Sequence, residues 1–307
     1  MNHPILPIPA DEFLKDYWQQ KPLLCPAAFR DFRSPFSAEE LAGLALEEEV
    51  ESRTVVRKGD AYLLNQGPFT ETDFLQAPEH DWTLLVQGVD LWVPELVEVQ
   101  KRFDFLPTWR MDDIMVSYAN VGGGVGPHFD YYDVFLLQVE GHRRWQIGQV
   151  CDADELLRND SELRILQNFE PAQEWVLAPG DMLYVPPCIA HWGVAESACM
   201  TYSVGFRAPT LTEMLDDLII DRLANAPEVY FQDPPLTPEM ASVEIDPAFV
   251  AQARKLLLDA LDDEALLGAW FARYMTRPKY PALVDETDER RQALWQGQNF
   301  INGHTDD

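Results

Sequence analysis

His128 and Asp130 stand two apart in Gly122-Gly123-Gly124-Val125-Gly126-Pro127-His128-Phe129-Asp130. In extended backbone, residues i and i+2 point to the same face, so this imidazole and carboxylate could reach one ion together. A third ligand must come from elsewhere, and the chain offers only six histidines. His3 and His304 lie near the two ends, His80 in a polar stretch, and His142 directly after Gly141 at a turn. His191 differs in what precedes it: Pro179-Gly180-Asp181, then the apolar run Met182–Val185, then Pro186-Pro187-Cys188. Pro-Gly-Asp reads as a turn, and the paired prolines as a stiff loop that delivers His191 to a fixed point. Two histidines and a carboxylate on one face leave open positions on a divalent metal, the facial arrangement of non-haem iron(II) oxygenases. Neither piece is specific alone, since His-x-Asp pairs are common and a histidine after a proline turn is more often structural. Together they gain weight, because 60 residues lie between Asp130 and His191, and short strands fill the gap. A small barrel needs about that much chain to return to the same mouth. The glycine run is no phosphate loop, for no Gly-Lys-Ser/Thr follows it. Tight backbone beside the site and plain loop flexibility both fit it.

An oxygenase that uses 2-oxoglutarate also needs a cation inside the barrel for the far carboxylate of that cosubstrate. The run Gly141-His142-Arg143-Arg144-Trp145-Gln146-Ile147 supplies two arginines. If Trp145 and Ile147 face the core, alternation sends Arg143 inward and Arg144 outward. A buried guanidinium requires an anion, and a carboxylate held by two parallel bonds meets that need; an aspartate of the barrel would meet it too. Ser117, on the preceding strand, could add a hydroxyl to the same carboxylate. Tyr132 and Asp133, just beyond the ligand pair, are candidates for substrate contacts or for core packing.

The elements that must position these groups change along the chain. Residues 1–90 read as mixed helix and loop. An acidic cap at Asp11 opens a helix with Phe13, Leu14, Tyr17 and Trp18 on one face, ended by Pro22. Ser37 and Glu40 stand at the spacing of a capping box. From about residue 110, short apolar runs separated by Gly, Pro and Asp suggest an antiparallel sandwich or barrel: Ile114–Tyr118, Val134–Val139, Arg144–Ile147, Trp175–Leu177, Met182–Val185 and Thr201–Phe206. After Pro209 a helical period returns in Leu211, Met214, Leu215, Leu218, Ile219 and Leu223. A proline-punctuated linker from Pro227 to Pro247 leads to further helical stretches through Leu261 and Leu266–Tyr274. Their apolar residues exceed what one small helical pair can bury.

Composition excludes several classes. Hydrophobic residues form 47% of the 307 and no run nears a membrane span. The first residues lack the charged start and apolar stretch of a signal peptide. Four scattered cysteines without a C-x-x-C pair favour reduced thiols and a cytoplasmic location over a disulfide framework or zinc site. The formal net charge of −29 repels a phosphate backbone and so opposes direct nucleic-acid binding. It would steer a basic protein toward the chain, or serve only solubility.

With these residues in view, the sequence resembles the JmjC-type ribosomal oxygenases, in particular the bacterial ribosomal-protein arginine hydroxylases. The resemblance rests on Phe13–Leu24, Gly122–Trp145, Pro179–His191 and Tyr202–Pro209 taken jointly. It implies an α+β chain: a double-stranded β-helix (cupin/JmjC jelly-roll) core with N-terminal helices and a C-terminal helical dimerisation region. The implied domains are an oxygenase domain over 1–209, with a helical and loop part over 1–109 and the β-helix core over 110–209. A dimerisation region over 210–275 follows, and then a reduced or truncated start of a winged-helix region over 276–307. The resemblance implies iron(II) held by His128, Asp130 and His191, 2-oxoglutarate on Arg143 with Ser117 beside it, and dioxygen as oxidant. The implied reaction is hydroxylation of an arginine β-carbon on a large-subunit ribosomal protein, by a homodimer. Other readings are a JmjC-type lysine demethylase or other protein hydroxylase, a cupin enzyme acting without 2-oxoglutarate, and a non-catalytic binding module on the same fold.

Overall fold

In the computed structural model, which describes residues 4–225, 228–240, 243–284 and 291–306, the chain divides between Ala208 and Pro209 into two compact units. Among the described residues no helix is long and apolar enough to cross a membrane.

The first unit opens with α1 (Ala10–Asp16), β1 (Leu23–Cys25) and α2 (Ala38–Leu44). There follow β2 (Ser52–Lys58), β3 (Ala61–Gln66), α3 (Glu71–Leu75), β4 (Trp82–Val86) and α4 (Val97–Gln100). The remainder is strand: β5 (Met111–Ala119), β6 (Val134–Glu140), β7 (Arg143–Val150), β8 (Gln173–Leu177), β9 (Met182–Val185), β10 (Ile189–Ala195) and β11 (Cys199–Phe206). They form an eight-stranded sheet, ordered β1-β9-β6-β11-β5-β4-β2-β3, and a three-stranded sheet, β10-β7-β8; every pairing is antiparallel. The six strands expected from residue 110 onward all form, several a residue or more longer at their ends.

Burial on both faces explains why β6 reads as a nearly unbroken apolar run. Leu136 and Val134 face the small sheet and pack with Leu183, Val185, Trp145, Ile147, Leu177 and Ile189. Phe135 and Leu137 face the other way, onto the N-terminal segment. There α1 inserts Phe13, fully buried, with its ring 5.0 Å from Tyr184 and 5.9 Å from Phe135. The N-terminal segment is therefore a cover without which the large sheet would present an aromatic face to water.

Two expectations require correction. The segment 1–109 is not only helix and loop, for β1 to β4 all join the large sheet. Moreover, α1 begins after Pro9 with no side-chain cap, and Leu14 faces solvent while Phe13 is buried. At α2 the expected capping box does form, with Ser37 Oγ accepting from the Glu40 N–H and Glu40 accepting from the Ser37 N–H.

The second unit contains α5 (Leu211–Asn225), α6 (Pro247–Asp259) and α7 (Glu264–Thr276), then a three-stranded antiparallel meander of β12 (Gln292–Trp295), β13 (Gln298–Ile301) and β14 (His304–Asp306). Its small core gathers Trp270, Ala272, Met275 and Phe300. Trp270 Nε1 donates to Asp217 at 2.9 Å and Arg273 pairs with Asp221 at 2.8 Å, tying α7 to α5. The described part of the expected proline-rich linker, 228–240 and 243–246, holds only a short 3-10 turn at Pro238–Met240; Pro227 lies outside the described residues.

Candidate active site

His128 and Asp130 lie on extended backbone between β5 and β6, and His191 lies within β10. A two-way backbone bridge joins the two histidines: His128 N–H donates to His191 O at 3.0 Å, and His191 N–H to His128 O at 2.8 Å. Cys188 N–H adds a bond to Asp130 O at 2.7 Å. The expected loop delivery of His191 is thus corrected. The proline segment ends in a left-handed residue, Cys188 with φ +62°, and His191 then sits in a strand paired with β7. The strand was hidden because its small residues, Ala190, Gly193 and Ala195, give no β signature. Gly193 is small for a reason: a Cβ there would lie 2.7 Å from the Trp145 ring opposite.

The glycine run is close-packed. A Cβ on Gly124 would meet Gly193 O at 2.3 Å, and one on Gly123 would meet Trp82 O at 2.3 Å. Tight backbone, rather than looseness, is therefore its contribution here.

One candidate ligand atom from each of His128, Asp130 and His191 lies within 4.8 Å of the others. Both imidazoles are oriented alike. His128 Nδ1 is 2.9 Å from Gly126 O and His191 Nδ1 is 2.9 Å from Ile189 O. A carbonyl can only accept, so each Nδ1 carries a proton, and in the neutral ring that leaves the lone pair on Nε2. His191 Nε2 sits 3.7 Å from Asp130 Oδ2, and the two rings lie 4.3 Å apart. Burial, reinforced by the neighbouring His128, pulls the His191 pKa down to about 4. That ring is neutral at physiological pH, the form a metal requires. Two imidazoles and a carboxylate on one face fit an octahedral divalent ion that keeps positions free.

Arg143 and Arg144 separate as alternation requires. Arg144 is exposed and pairs with Glu196. Arg143 is buried, its Nη1 donating to Ser117 Oγ at 3.2 Å and to Thr201 Oγ1 at 3.5 Å. Its Nε and Nη2 have no hydrogen-bond partner, and no carboxylate lies within 4 Å of it, among the described residues. Burial lowers the guanidinium's pKa, an effect the nearby Cys199 thiol opposes. A buried cation with two unused N–H groups fits an anionic ligand better than it fits empty space.

Sequence reasoning missed Asp113. Four residues before Ser117 on β5, it falls on the same face, and it is buried with Gln87 Nε2 donating to it at 2.7 Å. Much of the Tyr132 side chain meets solvent, yet its hydroxyl end is desolvated beside Asp130 and Asp113, which pushes its pKa up; Arg53, on the same rim, opposes the shift. The signal for Asp113 was the period of two that runs through it to Ser117. Asp133, weighed with Tyr132, turns away from this rim. It accepts from Tyr184 Oη at 2.6 Å and Gln19 Nε2 at 3.1 Å and pairs with Arg110 at 3.5 Å.

Comparisons with known proteins give the family. The JmjC domain model matches residues 98–214. The ribosomal protein uL16 3-hydroxylase of Escherichia coli strain K12 is 35% identical over 94% of this chain and 79% of its own length. A probable ribosomal oxygenase of Haemophilus influenzae is 36% identical over 94% of this chain and 75% of its own. The structure of YcfD, a ribosomal oxygenase from Escherichia coli, in complex with cobalt and 2-oxoglutarate superposes with a TM-score of 0.86 at 31% identity, covering 98% of this chain and 86% of that one. On the sequence and fold matches together, the chain belongs to the JmjC-type ribosomal oxygenases.

Proposed function

We propose that the chain hydroxylates the β-carbon of an arginine side chain on a large-subunit ribosomal protein, using iron(II), 2-oxoglutarate and dioxygen. The observation that carries the reading is the pairing, in one barrel, of a His-Asp-His cluster with a buried guanidinium that lacks an anion. His128, Asp130 and His191 would hold the iron, and Arg143 with Ser117 the far carboxylate of 2-oxoglutarate. When bound, iron would activate dioxygen, the oxidant, of which one oxygen atom would enter succinate as 2-oxoglutarate is oxidised and loses carbon dioxide, and the other the substrate. The chain's own residues do the rest. The Nδ1 bonds to Gly126 O and Ile189 O keep both imidazoles aimed and in one tautomer. Asp113 offers a carboxylate to a substrate guanidinium at the rim, and Tyr132 its ring and hydroxyl. Fixing the substrate there selects one C–H bond, since positioning decides which carbon reacts.

The relative acting on uL16 supports a basic ribosomal protein as partner, and the net charge of −29 supports steering of such a partner rather than binding of nucleic acid. A ribosomal substrate supports a cytoplasmic site of action. Exposed apolar residues on α5, α6 and α7 support a homodimer through residues 210–275.

Mass spectrometry of purified large-subunit ribosomal proteins tests the reading, after incubation with enzyme, iron(II) and 2-oxoglutarate. The expected result is a gain of one oxygen on one arginine, dependent on both additions. Consumption of 2-oxoglutarate without a modified arginine would overturn the substrate; no consumption at all would overturn the oxygenase reading.

A further inference from the structure

One buried donor near the site remains unused by the roles described so far. Trp145 is 5% exposed, and its indole Nε1–H has no hydrogen-bond partner among the described residues. A buried, unmet N–H costs about 1–3 kcal/mol, so it is rarely left so without a ligand to complete it. Its position is informative. Trp145 follows Arg143 by two residues on β7 and shares its inward face. The Arg143 Cζ lies 5.6 Å from the centre of the indole, and the His191 ring lies 6.0 Å from it. The indole thus bridges the stretch between the guanidinium and the metal-site histidine. Across the strand, the face of the benzo ring lies on Gly193, for a Cβ there would stand almost equally close to Cη2, Cζ3 and Cε3, at 2.7, 2.7 and 2.9 Å. Three donor nitrogens without a partner, Arg143 Nε, Arg143 Nη2 and Trp145 Nε1, come from two residues two apart on one inward face.

We propose that Trp145 is a second positioning residue for the cosubstrate, its Nε1–H donating to a carboxylate oxygen of 2-oxoglutarate whose charge is held by Arg143. This rests on the 2-oxoglutarate reading given above. The bond joins a neutral donor to an ionised acceptor, stronger than a neutral pair, and burial spares it competition from water. The indole face also flanks the guanidinium, which restricts how Arg143 presents its free edge. Selectivity follows: the N–H is satisfied only by an oxo acid that carries the far carboxylate, so a chain ending in a methyl group leaves both residues unmet.

The test is equilibrium binding rather than turnover, with manganese(II) in place of iron and titration calorimetry as the readout. Trp145→Phe keeps an aromatic ring beside Arg143 and removes the N–H. The expected result is roughly tenfold or greater weakening of 2-oxoglutarate binding, the size of a lost bond to a charged group, with no change for 2-oxopentanoate, which lacks the far carboxylate. Equal binding of 2-oxoglutarate by variant and wild type would overturn the role, as would equal weakening for both acids, which marks a packing defect alone. If wild type itself binds no 2-oxoglutarate, the underlying cosubstrate reading fails along with this one, and that outcome is distinct from the others. A second measurement needs no variant: in wild type labelled with 15N on its indoles, 2-oxoglutarate should move one solvent-protected indole N–H resonance downfield. Absence of any moved indole resonance at saturation would overturn the proposal.

Discussion

At the scale of single residues, three side chains divide the work and can be separated by experiment. Asp130→Ala should abolish metal binding and turnover while the fold persists, because Asp130's structural bond to Cys188 uses its backbone carbonyl and survives the change. Metal titration alongside circular dichroism checks this; retained stoichiometric binding would remove Asp130 from the ligand set. Arg143 presents the opposite case. Its charge is buried without an anion, so Arg143→Met should leave the ligand-free protein as stable as wild type or more so. The same change should erase the stabilisation by 2-oxoglutarate, about 2.7 kcal/mol for wild type at a hundredfold excess over Kd. Thermal melts with and without the acid decide it. Asp113→Asn should raise the substrate KM roughly tenfold or more, the value of one charge-assisted bond, and leave 2-oxoglutarate affinity alone. A parallel loss of both would mean that Asp113 shapes the barrel rather than the substrate.

At the scale of elements, the site depends on strands that the sequence revealed unequally. Alternation along Arg143–Ile147 was enough to send Arg143 inward and Arg144 outward, because β7 has one face in the barrel and one in solvent. The strand β4 escaped notice since all five of its residues are buried, leaving no alternation to read. The hairpin of β2 and β3 did leave a signal, the two-residue turn Gly59-Asp60 with Gly59 at φ +63°; polar residues on both strands masked it. For β10, the Pro-Pro approach and the small residues, among them the Gly193 that makes room for Trp145, suggested a loop. Asp133 shows the converse, a residue beside the ligands whose role is junctional. It fastens the start of β6 to Tyr184 of β9 and to Gln19 after α1. Asp133→Ala should therefore cost about 1–3 kcal/mol for each buried group left unpaired, read by urea denaturation, with metal affinity preserved. Lost metal affinity at unchanged stability would reverse that assignment.

At the scale of the whole molecule, the exposed apolar residues of the second unit call for a partner surface. Leu211, Leu215, Ile219 and Leu223 recur at four-residue spacing along α5 and are all exposed, a stripe too long to leave in water. Replacing Leu215 and Ile219 together by Glu should convert the proposed dimer into monomer in sedimentation equilibrium, while the secondary structure stays intact. A wild-type chain that is monomeric at micromolar concentration would remove the dimer. The backbone bridge between His128 and His191 carries a different consequence for the molecule as a whole. The ladder already holds the two imidazoles together, so the ion has no folding to drive. Chelation should leave far-ultraviolet dichroism unchanged, and metal uptake should show little heat-capacity change. Its rate should be governed by the ion shedding water rather than by any rearrangement of the chain. A protein built this way can lose its iron, survive folded through scarcity, and resume work when the metal returns.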